Sequence, residues 1–305
     1  MSFARKLKPN HLRLIVKIAE TGKLQVAAHA LSMSQPAASR SLSEIEADVG
    51  APLFRRHPKG MQPTQQGEAF VRNARTALTA LSNLETEVIG LNDGVLGDVR
   101  VGSVTGPAVQ CLVPALLKIR DTAPNLEATF EVAPSSDLLR GVARGEYDFV
   151  LARLPAEYDA RDYHILPARF EEVSMVVRHT HPLAAKPKLK LEDLQMAHWV
   201  IQERGSPIRE AVDGAYIAAG LQPPREITNS SSLLVMLAFL EQSDSIAPLT
   251  HEVASLLTRE SIGANLRVLN VEQKIAVSPY FIIRRRDHDL SRGAARVLDE
   301  VLKLL

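Results

Sequence analysis

Apolar residues recur at helical spacing through the first 50 positions. Between Asn10 and Glu20, Leu14, Ile15, Ile18 and Ala19 fall on one side of a helix, and Thr21-Gly22 stops it. A second short helix is predicted over Leu24 to Leu31, where Ala27, Ala28 and Ala30 permit close approach of a neighbour. Three residues, Ser32-Met33-Ser34, separate it from a third helix starting near Gln35. Ser34 suits the N-cap, and Pro36 is tolerated in a first turn whose N–H groups have no intrahelical partner. Ala38, Leu42, Ile45 and Val49 define the buried face of this helix, and Gly50 ends it. Gln35, Ser39, Arg40 and Ser43 lie off that face.

Further along, Phe70, Ala74, Ala77, Leu81, Leu84, Val88 and Leu91 alternate spacings of four and three with no Pro or Gly before Gly90. That heptad seam predicts one long helix that either pairs with a second helix or hides the seam against its own domain. Asn92-Asp93-Gly94 breaks it, and Gly97 marks a hinge.

Beyond Asp98 strands and helices alternate. Strands are predicted over Val99–Val104, Ala128–Val132 and Tyr147–Ala152, with helices over Val109–Arg120 and Ser136–Gly145. Val173–Val177 and Trp199–Gln202 read as strands of a similar second half, with helices over Pro207–Ala219 and Ser231–Gln242. Arg267–Leu269 and Tyr280–Ile283 read as strands returning to the first half, and Ser291–Leu304 as a closing helix. This pattern predicts α/β structure with a parallel sheet.

Composition adds an asymmetry. The net charge is only +1. Yet residues 1–60 hold 10 Lys and Arg against 4 Asp and Glu, a net +6, whereas the other 245 residues hold 26 against 31, a net −5. A basic first fifth on an acidic chain is the footprint of a nucleic-acid-binding module joined to something else, although a solvated charged face gives the same count. No apolar run is long enough for a membrane span, and Arg5, Lys6 and Lys8 are not followed by an apolar signal core. A soluble cytoplasmic protein of two or three domains is expected.

Two short helices joined by a three-residue turn, the second exposing Gln, Ser and Arg, have the layout of a helix-turn-helix, though spacing alone also suits a plain helical bundle. In a major groove Arg40 can take guanine bidentately, Gln35 can read adenine and Ser39 suits a phosphate. After Gly50 comes Leu53-Phe54-Arg55-Arg56-His57-Pro58-Lys59-Gly60, an apolar anchor and a basic turn fit for a wing along phosphates.

The run Ala27-Ala28, Leu31, Ser34-Gln35-Pro36-Ala37, Ser39-Arg40, Ile45-Glu46, Gly50, Leu53-Phe54-Arg55-Arg56, Thr64 and Gly67 resembles the LysR-type transcriptional regulators with its spacing intact. Gln25 departs from it, standing where that family usually has Ser or Thr. The resemblance implies a winged helix-turn-helix over residues 1–64, a linker helix over 65–92 that pairs subunits, and an effector-binding part over 93–305. The last part would be two α/β lobes resembling periplasmic binding proteins, one of about 98–166 and 270–305 and the other of about 167–269. The chain would cross between them near Leu166–Phe170 and Leu266–Asn270. The DNA contacts implied are Ser34, Gln35, Pro36, Ser39, Arg40, Ser43, Arg56 and Lys59, and the pairing residues are Leu81, Leu84, Val88 and Leu91. Implied partners are double-stranded DNA, a small-molecule effector, further copies of the chain as dimer or tetramer, and RNA polymerase, in a bacterial cytoplasm without a membrane.

Ligands in such folds sit between lobes at strand C-termini and helix starts. Ser103, Thr105, Ser135, Ser136 and Arg153 occupy those places in the first lobe, and Gln202, Glu203, Ser206, Ser230 and Ser231 in the second. Each Ser or Thr alone is equally well a helix cap. Together they suit a sugar or a hydroxylated or aromatic acid, and the residues leave that choice open. No cofactor, metal or enzymatic activity is expected. His179-Thr180-His181 lacks further ligands, and Cys111, the single cysteine, sits among Leu112, Val113 and Leu116 as a buried thiol. There is no phosphate-cradling Gly-rich loop, Gly-x-Ser-x-Gly or His-Glu-x-x-His.

Overall fold

A computed structural model describes residues 6–58, 60–93, 98–155 and 158–305. The head is built from helices α1 (Pro9–Thr21), α2 (Leu24–Ala30) and α3 (Gln35–Val49) and a hairpin of β1 (Phe54–His57) and β2 (Gly60–Pro63). Its core is Leu14, Ile15 and Ile18 from α1, Ala27 and Ala28 from α2, Ala38, Leu42 and Ile45 from α3, with Leu53 and Phe54 closing it. The Ser34 hydroxyl caps α3 by accepting the Ala37 N–H at 3.3 Å. Gly50 ends α3 at φ +78°, the left-handed conformation that suits a C-terminal glycine. Glu46 folds back so that one carboxylate oxygen accepts the N–H groups of Leu53 (2.7 Å) and Phe54 (3.2 Å), tying α3 to the hairpin.

Helix α4 (Gln65–Asp93) follows directly. Thr64 fixes its start by donating to the Pro52 carbonyl at 2.7 Å and accepting the Gly67 N–H at 3.0 Å. The heptad seam divides in two. Its first turns are used by the head itself, with Phe70 partly buried on the head core and Ala74 fully buried. Leu81 and Leu84 are instead 42% and 57% exposed in the single chain. The Val88 and Leu91 side chains and Gly97 lie outside the described residues.

The part beyond α4 has two sheets. The first holds β3 (Asp98–Ser103), β4 (Glu127–Val132), β5 (Phe149–Ala152), β6 (Tyr163–Pro167) and a late strand, in the order β4-β3-β5-late strand-β6. Between β3 and β4 run the short α5 (Thr105–Pro107), a π-helical turn over Ala108–Leu112, and α6 (Val113–Arg120). Helix α7 (Ser135–Arg144) precedes β5. The second sheet starts with β7 (Glu171–Arg178), followed by α8 (Leu191–Leu194), β8 (His198–Ile201), α9 (Pro207–Ala218), β9 (Ile227–Asn229) and α10 (Leu233–Gln242). Then come β10 (Ser245–Thr250), α11 (His251–Leu257), β11 (Leu266–Val268) and β12 (Ile275–Val277). β13 (Phe281–Arg285) is the late strand of the first sheet, and α12 (Arg292–Leu302) closes the chain over it.

Two expectations need correction. Both sheets are mixed rather than parallel, because β13 runs antiparallel to β5 and β6, and β10 antiparallel to β7. The second crossing is also later than Leu266–Asn270. β11 and β12 both pair with β7, end to end along one edge, so the chain changes sheet only at Ser278–Tyr280. Three-residue strands carry too little periodicity to reveal which sheet they join. The fully buried β10 was not read from sequence at all; it is a short apolar run interrupted by Pro248.

The lobes and the head touch. Arg75 of α4 reaches Glu20 of α1 at 3.3 Å and Glu146, just after α7, at 3.6 Å. Helix α7 therefore begins at the lobe boundary and ends against α4.

The approach of α4 to the hairpin is too close for a larger residue at Gly67, whose added Cβ would be driven into the Leu53 carbonyl. Gly67→Ala is expected to destabilise the head by about 1–3 kcal/mol. Hydrogen exchange should show faster exchange in α1–α3. Unfolding of the second lobe, reported by the fluorescence of Trp199, the only tryptophan, should stay unchanged.

Candidate nucleic-acid interface and effector cleft

On the head, Gln35, Pro36, Ser39, Arg40 and Ser43 are all exposed along one side of α3. This side follows from the burial of Ala38, Leu42 and Ile45 on the other. Among the described residues, Gln35, Ser39, Arg40 and Ser43 make no side-chain hydrogen bond or ion pair, so their donors and acceptors all face solvent. Ser34 is exposed too, but its hydroxyl is engaged in capping. Gln25 and Arg55 are exposed nearby. The Arg56 backbone pairs with Met61 in the hairpin; its side chain and the whole of Lys59 lie outside the described residues.

The cleft residues divide by role. Ser103 is fully buried, and its hydroxyl donates to the Val104 carbonyl at 2.8 Å. Thr105 is exposed at the start of α5. The Ser135 hydroxyl accepts the Arg153 N–H at 3.1 Å, and Ser136 is half-buried beside it. In the second lobe Gln202 and Ser206 are half-buried, while Glu203 and Ser231 are exposed. The Ser230 N–H bonds to the Ile201 carbonyl at 2.9 Å, joining the ends of β9 and β8. The hydroxyl that caps α10 is that of Ser232, at 3.4 Å from the Val235 N–H.

Arg153 is not a free ligand contact. Its guanidinium forms an ion pair with Glu171 at the start of β7, and its Nε donates to the Ser278 carbonyl at 2.9 Å. One side chain of the first lobe thus holds both segments where the chain crosses to the second. Those segments also bond each other, the Tyr280 N–H to the Arg169 carbonyl at 3.1 Å. The Glu171 side chain is 2% exposed. Burial pushes its carboxyl above the ordinary carboxylate value, Arg153 pulls it back, and the neighbouring Glu252 adds to the rise. Cys111 lies in the π-helical turn with its sulfur 3.9 Å from the Tyr280 hydroxyl, and burial pushes the thiol up. Among the described residues no group of His, Cys, Asp or Glu could hold a metal ion.

Sequence reasoning missed Glu171, Thr250 and Glu252. Glu171 and Thr250 crowd Gly106 of the first lobe so closely that a Cβ there would strike both. The available signal was a carboxylate heading an otherwise apolar strand, Glu171 before Val173–Val177.

A winged helix-turn-helix with an unpartnered polar recognition face, followed by a long helix and two lobes around a polar seam, defines a DNA-binding regulator with an effector-binding part. Residues 9–68 match the family described as bacterial regulatory helix-turn-helix protein, lysR family, and residues 92–305 match the LysR substrate binding domain. The chain belongs to the LysR family of transcriptional regulators. It is 34% identical over 294 residues to the HTH-type transcriptional regulator GbpR of Azospirillum brasilense, covering 96% of this chain and 85% of that protein. It is 36% identical over 250 residues to GbpR of Rhizobium radiobacter, covering 81% and 83%. The fold is that of full-length CbnR solved with its target DNA, at TM-score 0.68 and 20% identity, with 98% of this chain and 100% of that one covered.

Removing the crossing pin should leave a buried carboxylate alone. In Arg153→Met the Glu171 carboxyl lies above its unfolded value of 4.5 with nothing opposing burial. Its contribution to stability is then present below that value and lost as pH rises through the folded one. The variant is expected to lose about 3–5 kcal/mol at about pH 8 and clearly less at about pH 5. Urea unfolding followed by Trp199 fluorescence at both pH values measures this.

Proposed function

We propose that the chain binds a two-fold DNA site as a dimer or tetramer and adjusts that binding to a small polar metabolite held between its lobes. The observation that carries the reading is the side of α3 bearing Gln35, Ser39, Arg40 and Ser43, exposed and without a side-chain partner among the described residues. Polar side chains that serve the fold are held in hydrogen bonds within it; a row of unpaired ones on a helix backed by an apolar core is suited to base edges and phosphates. The β1–β2 hairpin, with Arg55, Arg56 and Lys59, would lie along the backbone. Ser34 and Pro36 shape the entry to α3, with Ser34 serving as its cap. CbnR, which shares the fold, has been solved on its target DNA, and LysG of Corynebacterium glutamicum with bound effector Arg, so the same two kinds of partner are the expectation.

Residues 1–64 would act as the reading head and 65–92 as the pairing helix, with 93–305 as the sensor. The exposed Leu81 and Leu84, continuing to Val88 and Leu91 in the sequence, form the pairing surface of this reading. RNA polymerase is the further macromolecular partner implied by such a role. The relatives are transcriptional regulators, and no catalytic step is assigned to this chain. No described helix is long and apolar enough to cross a membrane, which suits a place in the bacterial cytoplasm.

Arg40→Ala is expected to cost about 1–3 kcal/mol on the specific site and to relax discrimination there. Footprinting and salt-dependent titration check this, and unchanged specific binding by the folded variant would remove α3 from the reading. Leu84→Glu places a charge in the pairing seam at a desolvation cost of several kcal/mol. Sedimentation should show a lower oligomeric state and titration a loss of tight two-half-site binding, with weak half-site binding retained.

A further inference from the structure

Buried polar atoms in a folded protein are nearly always hydrogen-bonded, so the exceptions mark places where a partner is missing. Among the described residues eight buried side-chain nitrogens and oxygens have no partner. Five of the eight, on Glu171, Gln202, Ser206, Thr250 and Glu252, gather at one end of the second sheet. The topology puts them there. β8 and β10 run parallel and end at Ile201 and Thr250, while β7 runs antiparallel to β10 and begins at Glu171. Ser206 and Glu252 stand at the starts of the helices that leave those strands, α9 and α11. This is the end that faces the first lobe, since Gly106 lies against Glu171 and Thr250.

All five atoms are oxygens. Those of Glu171, Gln202 and Glu252 can only accept while the carboxylates are charged, and the two hydroxyls can do either. We propose that the ligand of this cleft is a neutral, multiply hydroxylated molecule of monosaccharide size, rather than an organic anion or an amine. This rests on the reading of the cleft as the effector site. An anion would meet two carboxylates, and the Arg153 guanidinium beside them is already taken by Glu171 and the Ser278 carbonyl, as that of Arg209 on α9 is by Asp213. An ammonium concentrates its donors on one nitrogen, whereas the acceptors stand at the ends of three adjacent strands, spread over about 10 Å at the usual strand spacing. A ring of hydroxyl groups distributes donors over that span, and each hydroxyl can also accept from Ser206 or Thr250.

The test uses the full chain with Trp199 fluorescence as the thermal-unfolding readout. Aldohexoses and aldopentoses are each compared with the matching uronate and 2-amino-2-deoxy sugar, at micromolar to tens of millimolar concentration. The expected result is a saturable rise in midpoint for at least one neutral sugar, with its charged counterparts weaker by about ten-fold or more, as befits a buried acceptor left unpaired or a charge left unmatched. Thr250→Val and Glu252→Gln should each weaken that sugar by about ten-fold, and Thr250→Ser should restore most of it. A uronate or amino sugar that binds as tightly as its neutral parent overturns the ligand class, as does a silent neutral panel. If a charged ligand binds and Thr250→Val abolishes it, the cleft stands and only the class falls. If binding is untouched in both Thr250→Val and Glu252→Gln, the cleft itself is wrong.

Discussion

The two lobes share one chain that crosses between them twice, and a single guanidinium holds both crossings. Arg153 leaves the end of β5 to pair with Glu171 where the chain enters the second sheet and with the Ser278 carbonyl where it returns. Inside a protein such a pair adds little stability over an apolar replacement, but breaking it leaves a buried charge, so it specifies geometry more than strength. That geometry fixes the spacing of the seam in which Gly106 faces Glu171 and Thr250. The seam between the lobes is therefore a preset arrangement rather than a loose gap.

The same region is connected to the head through short, stiff elements. Helix α7 starts with Ser135, whose hydroxyl bonds the Arg153 N–H, and ends at Gly145, whose carbonyl accepts from Thr79 of α4 at 3.5 Å. Arg75, one turn earlier on α4, bridges Glu146 and Glu20 of α1. The lobes and the head are thus linked through the ten-residue helix α7 and the Thr79 and Arg75 side chains of α4. Packed helices move as units, so these contacts are the path along which a change in lobe geometry would reach the head.

What could be read from the sequence follows from how local each determinant is. The head was legible because its helices carry their periodicity, caps and terminal glycines within a few residues, as Ser34, Pro36 and Gly50 do for α3. The long helix was legible as a helix, but its seam was not: nothing in the spacing says that Phe70 and Ala74 are used by the head while Leu81 and Leu84 are left exposed. In the lobes, the place of Arg153 at the end of its strand points to a ligand contact, whereas its guanidinium is held by protein partners. Its partner lies 18 residues away and its second acceptor is a backbone carbonyl 125 residues away, and no local pattern encodes such pairings. Thr250 and Glu252 were missed with the strand that leads to them, because β10 is a short buried run containing a proline.

The central claim is that Arg153 and Glu171 act as one unit that sets the lobe seam. A double-mutant cycle of Arg153→Met and Glu171→Gln in the full chain, with urea unfolding reported by Trp199 at about pH 8, tests it most directly. Residues that act together are expected to show a coupling of about 1–3 kcal/mol, the double variant being less damaged than the sum of the singles. Additive effects within about 0.5 kcal/mol would contradict the account, since that is how independent sites behave.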